Sequence, residues 1–238
     1  MLKRIFLLIS LIFSDFYFSQ RIIEDNNLYI FIGQKVSINE FDPNINSEKI
    51  IGREIDEETG DTLIIKTKSW VMDNAFSCKY IVQKEILNKL PTDTIKFNAY
   101  DHYGRPNFER YKEAIMYISK NNEGAFFQQK YIYDPVYKIK NKWVGILSFV
   151  FPNENLELWK KFKTININKD NSIKTKLGFC DRKCQETYYP KPYFEIKNGF
   201  VYPKKGFEIK DIVTYRMMTT FKLTSIDLKK LQITSYWQ

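Results

Sequence analysis

The chain has 238 residues, among them 19 Phe and 16 Tyr, and its 37 Lys and Arg outnumber its 28 Asp and Glu. A chain of this length can bury a sizeable core without metals or disulfides, and its aromatic content argues against intrinsic disorder. The net charge of +9 leaves binding of a polyanion open, although scattered lysines favour an ordinary solvated surface.

The first twenty residues have the layout of a secretory signal peptide. Residues 1–4 are basic, Ile5 to Phe13 form an apolar run, and residues 14–20 are a mixed polar and aromatic exit. The run is shorter than the roughly 20 residues that span a bilayer. A buried first strand or an amphipathic helix is the alternative. We predict that residues 1–20 are cleaved, that the chain is exported to the periplasm or beyond, and that the mature chain has no transmembrane segment.

Strand patterns begin directly after this leader. Residues 28–37 are rich in β-branched and aromatic side chains and predict a strand, with Gly33 marking a bulge or sharp bend. Residues 38–60 are polar and predict an excursion with at most a short helix or strand around residues 50–51. A second strand is predicted over residues 62–71.

The segment from Ala75 to Tyr133 has the most regular pattern of the chain. Four strand-like runs occur here, and apolar residues alternate along the first, with Phe76, Cys78, Tyr80 and Val82 on one face. Asn107 to Glu113 predicts a short helical turn, and the unbroken apolar run 114–118 is typical of a strand covered on both faces. This density of strands predicts a mainly β fold, a β-rich α+β protein with an OB-like barrel over residues 21–151.

The remainder, residues 152–238, predicts a more polar C-terminal extension packed on the barrel. A strand over 143–151 precedes it, and apolar residues at helical spacing predict an amphipathic helix over 154–163. Residues 207–221 fit a helix by spacing, although Thr and Val within them also allow a strand. We therefore expect one or two short helices in the extension.

Three cysteines constrain the redox chemistry. In an oxidising compartment a pair is expected to be bridged, and Cys180 and Cys184 would close a small loop within a polar turn. Cys78 shares a strand face with apolar residues, which suits a buried free thiol. The other two pairings stay open, because spacing alone does not rank them.

Residues 29–36, 75–84, 93–97 and 111–119 carry a resemblance to a known family. They resemble strands of tissue-inhibitor-of-metalloproteinases and netrin-like modules, which are OB-type barrels, over roughly half of the mature chain. Those inhibitors begin with a cysteine that chelates a protease zinc, whereas this mature chain is expected to begin near Gln20 or Arg21. The family's disulfides are also missing, so metalloprotease inhibition is transferred to no residue. The chain as a whole also resembles exported bacterial proteins with similar leaders.

No catalytic or cofactor motif in the sequence predicts a site. His102 is the only histidine, whereas mononuclear zinc catalysis commonly uses two or three; no phosphate-binding, dinucleotide-binding or nucleophile-elbow motif occurs. We therefore predict no catalytic residue, no metal and no cofactor. Paired carboxylates for glycoside hydrolysis stay possible, with Asp101, Glu109 and Glu113 close in sequence.

One loop stands out as a candidate ligand site. It spans Asp101 to Phe108 at the end of a predicted strand, where OB-type barrels often bind ligands, and its candidate residues are Asp101, His102, Tyr103, Arg105 and Phe108. The alternative is a structural turn with Tyr103 and Phe108 in the core. A second aromatic and basic stretch, 188–193, adds Tyr189 and Tyr193 as candidates.

Three hypotheses about function follow from these patterns. The first is an exported, non-catalytic binding or interaction module of unknown ligand. The second is a secreted hydrolase with paired carboxylates. The third is a polyanion-binding protein, so the expected partners are a protein or a polyanionic glycan; nucleic acid is not expected.

Overall fold

The fold is described from a computed structural model of the chain. The structure describes residues 27–45, 48–68, 70–146, 161–167 and 173–231. The predicted leader and most of the predicted helix over 154–163 lie outside these residues.

Strands make up most of the described chain. They are β1 (Leu28–Phe41), β2 (Glu48–Ile55), β3 (Thr62–Lys68), β4 (Asn74–Leu87), β5 (Thr94–Asp101), β6 (Glu113–Lys120), β7 (Phe126–Ile139), β8 (Lys142–Gly145), β9 (Thr164–Asn166), β10 (Thr175–Lys176), β11 (Phe194–Lys197), β12 (Phe200–Pro203) and β13 (Lys205–Glu208). The helices are α1 (Arg182–Tyr188), α2 (Ile209–Thr219) and α3 (Ser225–Lys230), with one 3-10 turn, Asn107–Arg110.

Five of these strands form a ring. The antiparallel order β5-β4-β1-β6-β7 is joined back on itself where β5 and β7 meet in parallel at Asn98 and Phe127. Without the β2–β3 hairpin, the ring runs first, second, third, fifth, fourth strand, as in an OB-type barrel. The predicted mainly β fold with an OB-like barrel is therefore confirmed.

The barrel interior is filled by the alternating face that the sequence predicted. Phe76, Cys78 and Tyr80 of β4 point inward with side chains from the other strands, and the ring of Phe108 from the 3-10 turn packs among them. Gly33 sits at a register shift of β1, where an added Cβ would lie 2.7 Å from the Phe31 ring and 2.9 Å from the Tyr80 ring. The expected irregularity at Gly33 is thus present, and close packing requires the glycine there.

A second apolar cluster lies on the outside of the barrel. Strands β1 and β6 send alternate residues into the barrel and into this cluster, so every residue from Ala114 to Ile118 is buried. The outer cluster also contains Phe207 of β13 together with Ile212 and Tyr215 of α2. The run 114–118 is therefore covered on both faces, as predicted.

The C-terminal extension continues the barrel sheet. Strand β8 follows β7, and β13 pairs with both β8 and β9, so the large sheet ends β7-β8-β13-β9. Helix α2 follows β13 directly and packs on β8 and β13. Of the two structures that the sequence allowed for residues 207–221, the helix forms over most of them, and Phe207 belongs to a strand.

The disulfide region forms a small surface unit. Cys180 and Cys184 are joined by a disulfide, and the Asp181 side chain caps α1 by accepting a hydrogen bond from the backbone N–H of Cys184 at 2.8 Å. Cys78 is a free thiol buried inside the barrel. None of the helices in the described ranges is long and apolar enough to cross a membrane.

Candidate functional site

A cavity of about 520 Å³ opens where one end of the barrel meets the extension. We call it the junction cavity. Its walls come from the 3-10 turn, from residues 128–133 of β7 and from α2, and its lining residues are Asp101, Pro106, Asn107, Phe108, Arg110, Tyr111, Gln128, Lys130, Tyr131, Ile132, Tyr133, Arg216 and Thr220. Three segments distant in sequence therefore build one site.

An interruption in β7 creates one wall of the cavity. Met116 of β6 pairs with Tyr133, but Ile118 pairs with Gln128, so residues 129–132 of β7 all stand opposite Tyr117. We call residues 129–132 the β7 excursion. The Gln128 side chain closes it by donating to the carbonyl of Ile132 at 3.0 Å. Such bulges redirect side chains and often lie beside functional sites.

The excursion stores backbone strain. Tyr131 has φ of 65°, in the left-handed region that side chains other than glycine rarely adopt. A residue held there costs on the order of 1–3 kcal/mol, and such residues cluster at ligand sites and switches. The strain presents the Tyr131 ring at the cavity, where it lies 6.0 Å from the ring of Tyr103.

Aromatic rings supply the apolar walls. Phe108 lies 5.9 Å from Tyr133, and Tyr111 lies 6.0 Å from the same ring, measured between ring centroids. Tyr131 completes a set of four rings in the lining. Burial raises the pKa of Tyr133, so its phenol stays protonated and neutral.

Cations surround these rings. Lys130 is held by Asp73 at 2.6 Å, and this hydrogen bond raises the pKa of the Lys130 ammonium. Arg110 is exposed and makes no ion pair with any residue that the structure describes. Asp101 is the one carboxylate of the described lining. The lining therefore combines aromatic surfaces with three cations and one carboxylate.

The third cation, Arg216, belongs to a buried ion pair at the base of the cavity. Its guanidinium donates to both oxygens of Asp134, with the shortest contact at 2.6 Å, and to the carbonyl of Tyr133 at 3.2 Å. Tyr117 donates to the same carboxylate at 3.0 Å. Burial lowers the pKa of Arg216, but the attraction of Asp134 outweighs it and the net shift is upward. The pair joins β7 to α2 across the junction.

The predicted loop 101–108 lies beside the cavity, but its residues have different roles. Asp101 is buried and lines the cavity, and its Oδ1 accepts from the backbone N–H of Tyr103 at 2.8 Å. Phe108 lines the cavity and packs into the barrel core. His102 is exposed, with its Nδ1 3.3 Å from Asp73, and Tyr103 is 87% exposed. The alternative of a structural turn with both rings in the core is therefore correct for Phe108 and wrong for Tyr103.

Arg105 acts within the loop. Its guanidinium donates two hydrogen bonds, of 2.6 and 2.7 Å, to the Glu109 carboxylate and one of 3.1 Å to the carbonyl of Ile38. It does not line the junction cavity. Its geometry fits a structural clamp between the loop and β1.

The second predicted surface lies apart from the first. Tyr193 is buried and stacks on Phe207 at 5.6 Å, while Tyr189 is half-buried against Phe194. Tyr189 lines a separate cavity of about 20 Å³, which has room for little more than one water molecule. Tyr111 borders both cavities, but the two predicted surfaces do not form one site.

Sequence reasoning missed Arg110, Tyr111, Lys130, Tyr131, Tyr133, Arg216 and Thr220. Tyr131 and Tyr133 belong to the last strand-like run of the segment 75–133, and nothing in a single sequence marks an interruption of four residues. Within the described parts of the chain, no group of three or more His, Cys, Asp and Glu could hold a metal ion.

Comparisons with protein-family models, with curated proteins and with solved structures find no match to this chain. The resemblance to tissue-inhibitor-of-metalloproteinases and netrin-like modules therefore stays a prediction.

Proposed function

We propose that this protein is an exported, non-catalytic binding module that holds a small ligand in the junction cavity. The observation that carries the proposal is the combination of a volume of about 520 Å³ with four aromatic rings and a free cation, Arg110. Small-molecule sites are typically concave, mostly apolar and about 300–1,000 Å³ in volume, with a few polar groups that orient the ligand. The strained Tyr131 adds support, since strain of this kind is concentrated at binding sites.

The lining points to a ligand with a flat apolar body and a negatively charged group. The rings of Phe108, Tyr111 and Tyr133 offer surfaces for stacking and edge contacts. Arg110 offers a planar guanidinium suited to a carboxylate, sulfonate or phosphate. The Asp134 carboxylate pairs with Arg216 and the Asp73 carboxylate pairs with Lys130, so Arg110 sets the charge preference of the site.

The hydrolase alternative is less well supported by this geometry. It requires two carboxylates converging on one cleft, and among described residues Asp101 is alone in the lining. Glu109 is gripped by Arg105, and Glu113 lies 3.3 Å from Lys112. The candidate carboxylates therefore serve separate ion pairs.

Calorimetric titration with two related probes tests the proposal. We expect 1-naphthalenesulfonate to bind with one site per chain, and Tyr131→Ala to weaken it because a wall of the cavity is removed. Arg110→Met should weaken the sulfonate about tenfold, the range for a hydrogen bond to a charged group. The same change should leave the neutral probe 1-naphthalenemethanol unaffected.

Arg182→Met is the matched control, since Arg182 is an exposed guanidinium on α1, away from the cavity lining. This substitution should leave the affinity for both probes unchanged. The proposal is wrong if the sulfonate does not bind, or if Arg110→Met, Tyr131→Ala and Arg182→Met all bind it equally well.

A further inference from the structure

The β2–β3 hairpin is a surface that no other strand of the described chain covers. Among the described residues, each of its strands pairs only with the other, so both outer edges are open there. A two-stranded hairpin is at best marginally stable by itself in water, and an open edge is a template for pairing with another chain. Its exposure therefore calls for a physical reason.

Three exposed isoleucines lie on one face of the hairpin, interspersed with charged side chains. Cross-strand pairing places Ile64 beside Arg53 and Ile55 beside Thr62, and Ile50 lies on the same face. These three isoleucines are 51%, 73% and 55% exposed. Trp70 and Met72, in the segment that leads back to β4, are exposed as well. Large exposed apolar groups gathered in one place indicate a contact surface.

The tip of the hairpin is acidic, in contrast to the rest of a basic chain. Residues 54–61 contain five Asp and Glu and no Lys or Arg, whereas the whole chain carries +9. Asp56 builds the turn by accepting from the backbone N–H groups of Glu58 and Thr59. Glu57 and Glu58 are exposed, and neither side chain holds the turn through such hydrogen bonds in the described chain.

A complementary surface lies on the outer face of β4 and β5. Lys79 and Lys96 stand directly opposite each other in this pair, and Ile81 beside them is partly exposed. Neither lysine forms an ion pair with a described residue. Like charges directly opposite on a sheet destabilise it, and an acidic partner would remove this repulsion.

We propose that the β2–β3 hairpin of one chain docks on the β4–β5 face of a second copy, and that the exchange is reciprocal in a symmetric dimer. The acidic tip would meet Lys79 and Lys96, and the isoleucine face would meet Ile81. When each chain contributes a hairpin and also binds the hairpin of its partner, the assembly closes as a dimer. A contact in one direction only would form open chains.

The surface area that can be buried favours this reciprocal dimer over a contact between two hairpin faces alone. With eight residues in β2, one face measures about 26 by 10 Å, or roughly 260 Å². A stable interface buries about 800 Å² on each partner. When each chain supplies a hairpin and a receiving face of similar size, about 520 Å² is buried on each partner, or about 1,040 Å² in total, which is near the lower limit of roughly 1,000 Å² for a specific interface. The acidic tip also disfavours an anionic membrane as the occupant.

The test is sedimentation equilibrium on the purified protein and four sets of variants. We expect the wild type to dimerise and Ile55→Ser with Ile64→Ser to dimerise at least about tenfold more weakly. Lys79→Glu with Lys96→Glu should weaken the dimer similarly. Adding Glu57→Lys and Glu58→Lys to that variant should restore it, because the charge pairing is then reversed. Phe179→Ser, at an exposed ring outside both surfaces, should change nothing.

Circular dichroism of each variant checks folding. No loss is expected, because the hairpin pairs with none of the described barrel strands and the side chains of Lys79 and Lys96 are exposed. A wild type that stays monomeric at every concentration overturns the proposal. So does a dimer whose affinity is unchanged by the isoleucine substitutions, or a charge reversal that does not restore dimerisation. Monomers that bind neutral phosphatidylcholine vesicles through Ile55 and Ile64 would instead assign the surface to membranes. This inference does not depend on the junction cavity.

Discussion

At the scale of single residues, the decisive contact is the buried pair of Asp134 and Arg216. The two lie 82 positions apart in sequence, yet the Asp134 side chain is fully buried and the Arg216 side chain nearly so. Tyr117 supplies a further hydrogen bond. Such a group of charges stabilises only when complete, because a single buried charge without its partner is costly.

Replacing Arg216 with Met should therefore destabilise the protein strongly. We expect a loss of about 3–5 kcal/mol in the free energy of unfolding, because Asp134 is left buried without a counter-charge. Urea denaturation followed by tryptophan fluorescence measures it. A loss under about 1 kcal/mol, the range for exposed pairs, would show that the pair does not hold the junction.

Arg105→Met is the matched control for that measurement. Its partner Glu109 is partly exposed, so the expected loss is below about 1 kcal/mol. The hydrogen bond from Arg105 holds the pKa of Glu109 below its ordinary value of 4.5. The pair's contribution should thus be present above pH 4.5 and disappear as the pH falls below it.

The burial of Cys78 leads to a second prediction at the scale of single residues. Burial raises the pKa of its thiol to about 12, so it stays protonated at neutral pH. Ellman's reagent should find no accessible thiol in the native protein and one thiol per chain in denaturant, with Cys180 and Cys184 remaining paired. Rapid labelling of the native protein at Cys78 would contradict its burial inside the barrel.

At the scale of elements, close packing of α2 and β13 on β8 joins the extension to the barrel. An added Cβ at Gly206 of β13 would lie 2.2 Å from Val144 Cγ1 and 3.1 Å from the carbonyl oxygen of Gly145. Valine is stiff at χ1 and the backbone of β8 is held in the sheet, so neither neighbour moves easily. The glycine is thus a packing requirement of this interface.

Gly206→Ala should cost about 1–3 kcal/mol of stability, the usual range for overpacking. Thermal unfolding measured by circular dichroism tests this. Gly178→Ala is the matched control, since nothing lies within 4 Å of an added Cβ there, and it should be neutral within about 0.5 kcal/mol. Equal effects of the two changes would contradict the packing argument.

At the scale of the whole molecule, barrel and extension share a hydrophobic core. The outer cluster contains Ile30, Ile115 and Tyr117 of the barrel together with Phe207 and Tyr215 of the extension. Strands β1 and β6 therefore have apolar side chains on both faces, and the barrel itself buries only one of these faces. We therefore expect the two parts to fold as one unit.

A chain that ends at residue 151 should not fold. It would expose the outer faces of β1 and β6 and leave Asp134 buried without Arg216. We expect aggregation or a spectrum without native tertiary signals, measured by near-ultraviolet circular dichroism, while the full chain unfolds in one cooperative transition. A soluble, cooperatively folding fragment would show that the barrel is an independent domain.

The barrel and part of the site could be predicted from local patterns in the sequence. Period-two alternation, as in Phe76, Cys78 and Tyr80, is a local consequence of strand geometry, so it predicted which faces turn inward. The loop from Asp101 to Phe108 was also visible, because breakers such as Gly104 and Pro106 end a strand wherever they occur. Two of its residues, Asp101 and Phe108, line the junction cavity.

The rest of the cavity and the exposure of the hairpin depend on contacts between distant parts of the chain. Arg216 reaches Asp134 because α2 packs across the end of the barrel, and Tyr131 turns to the cavity because β7 is interrupted opposite Tyr117. Both depend on partners distant in the chain, which no local pattern encodes. Alternation predicts the two faces of a strand, but the contacts made by each face depend on how the whole chain packs.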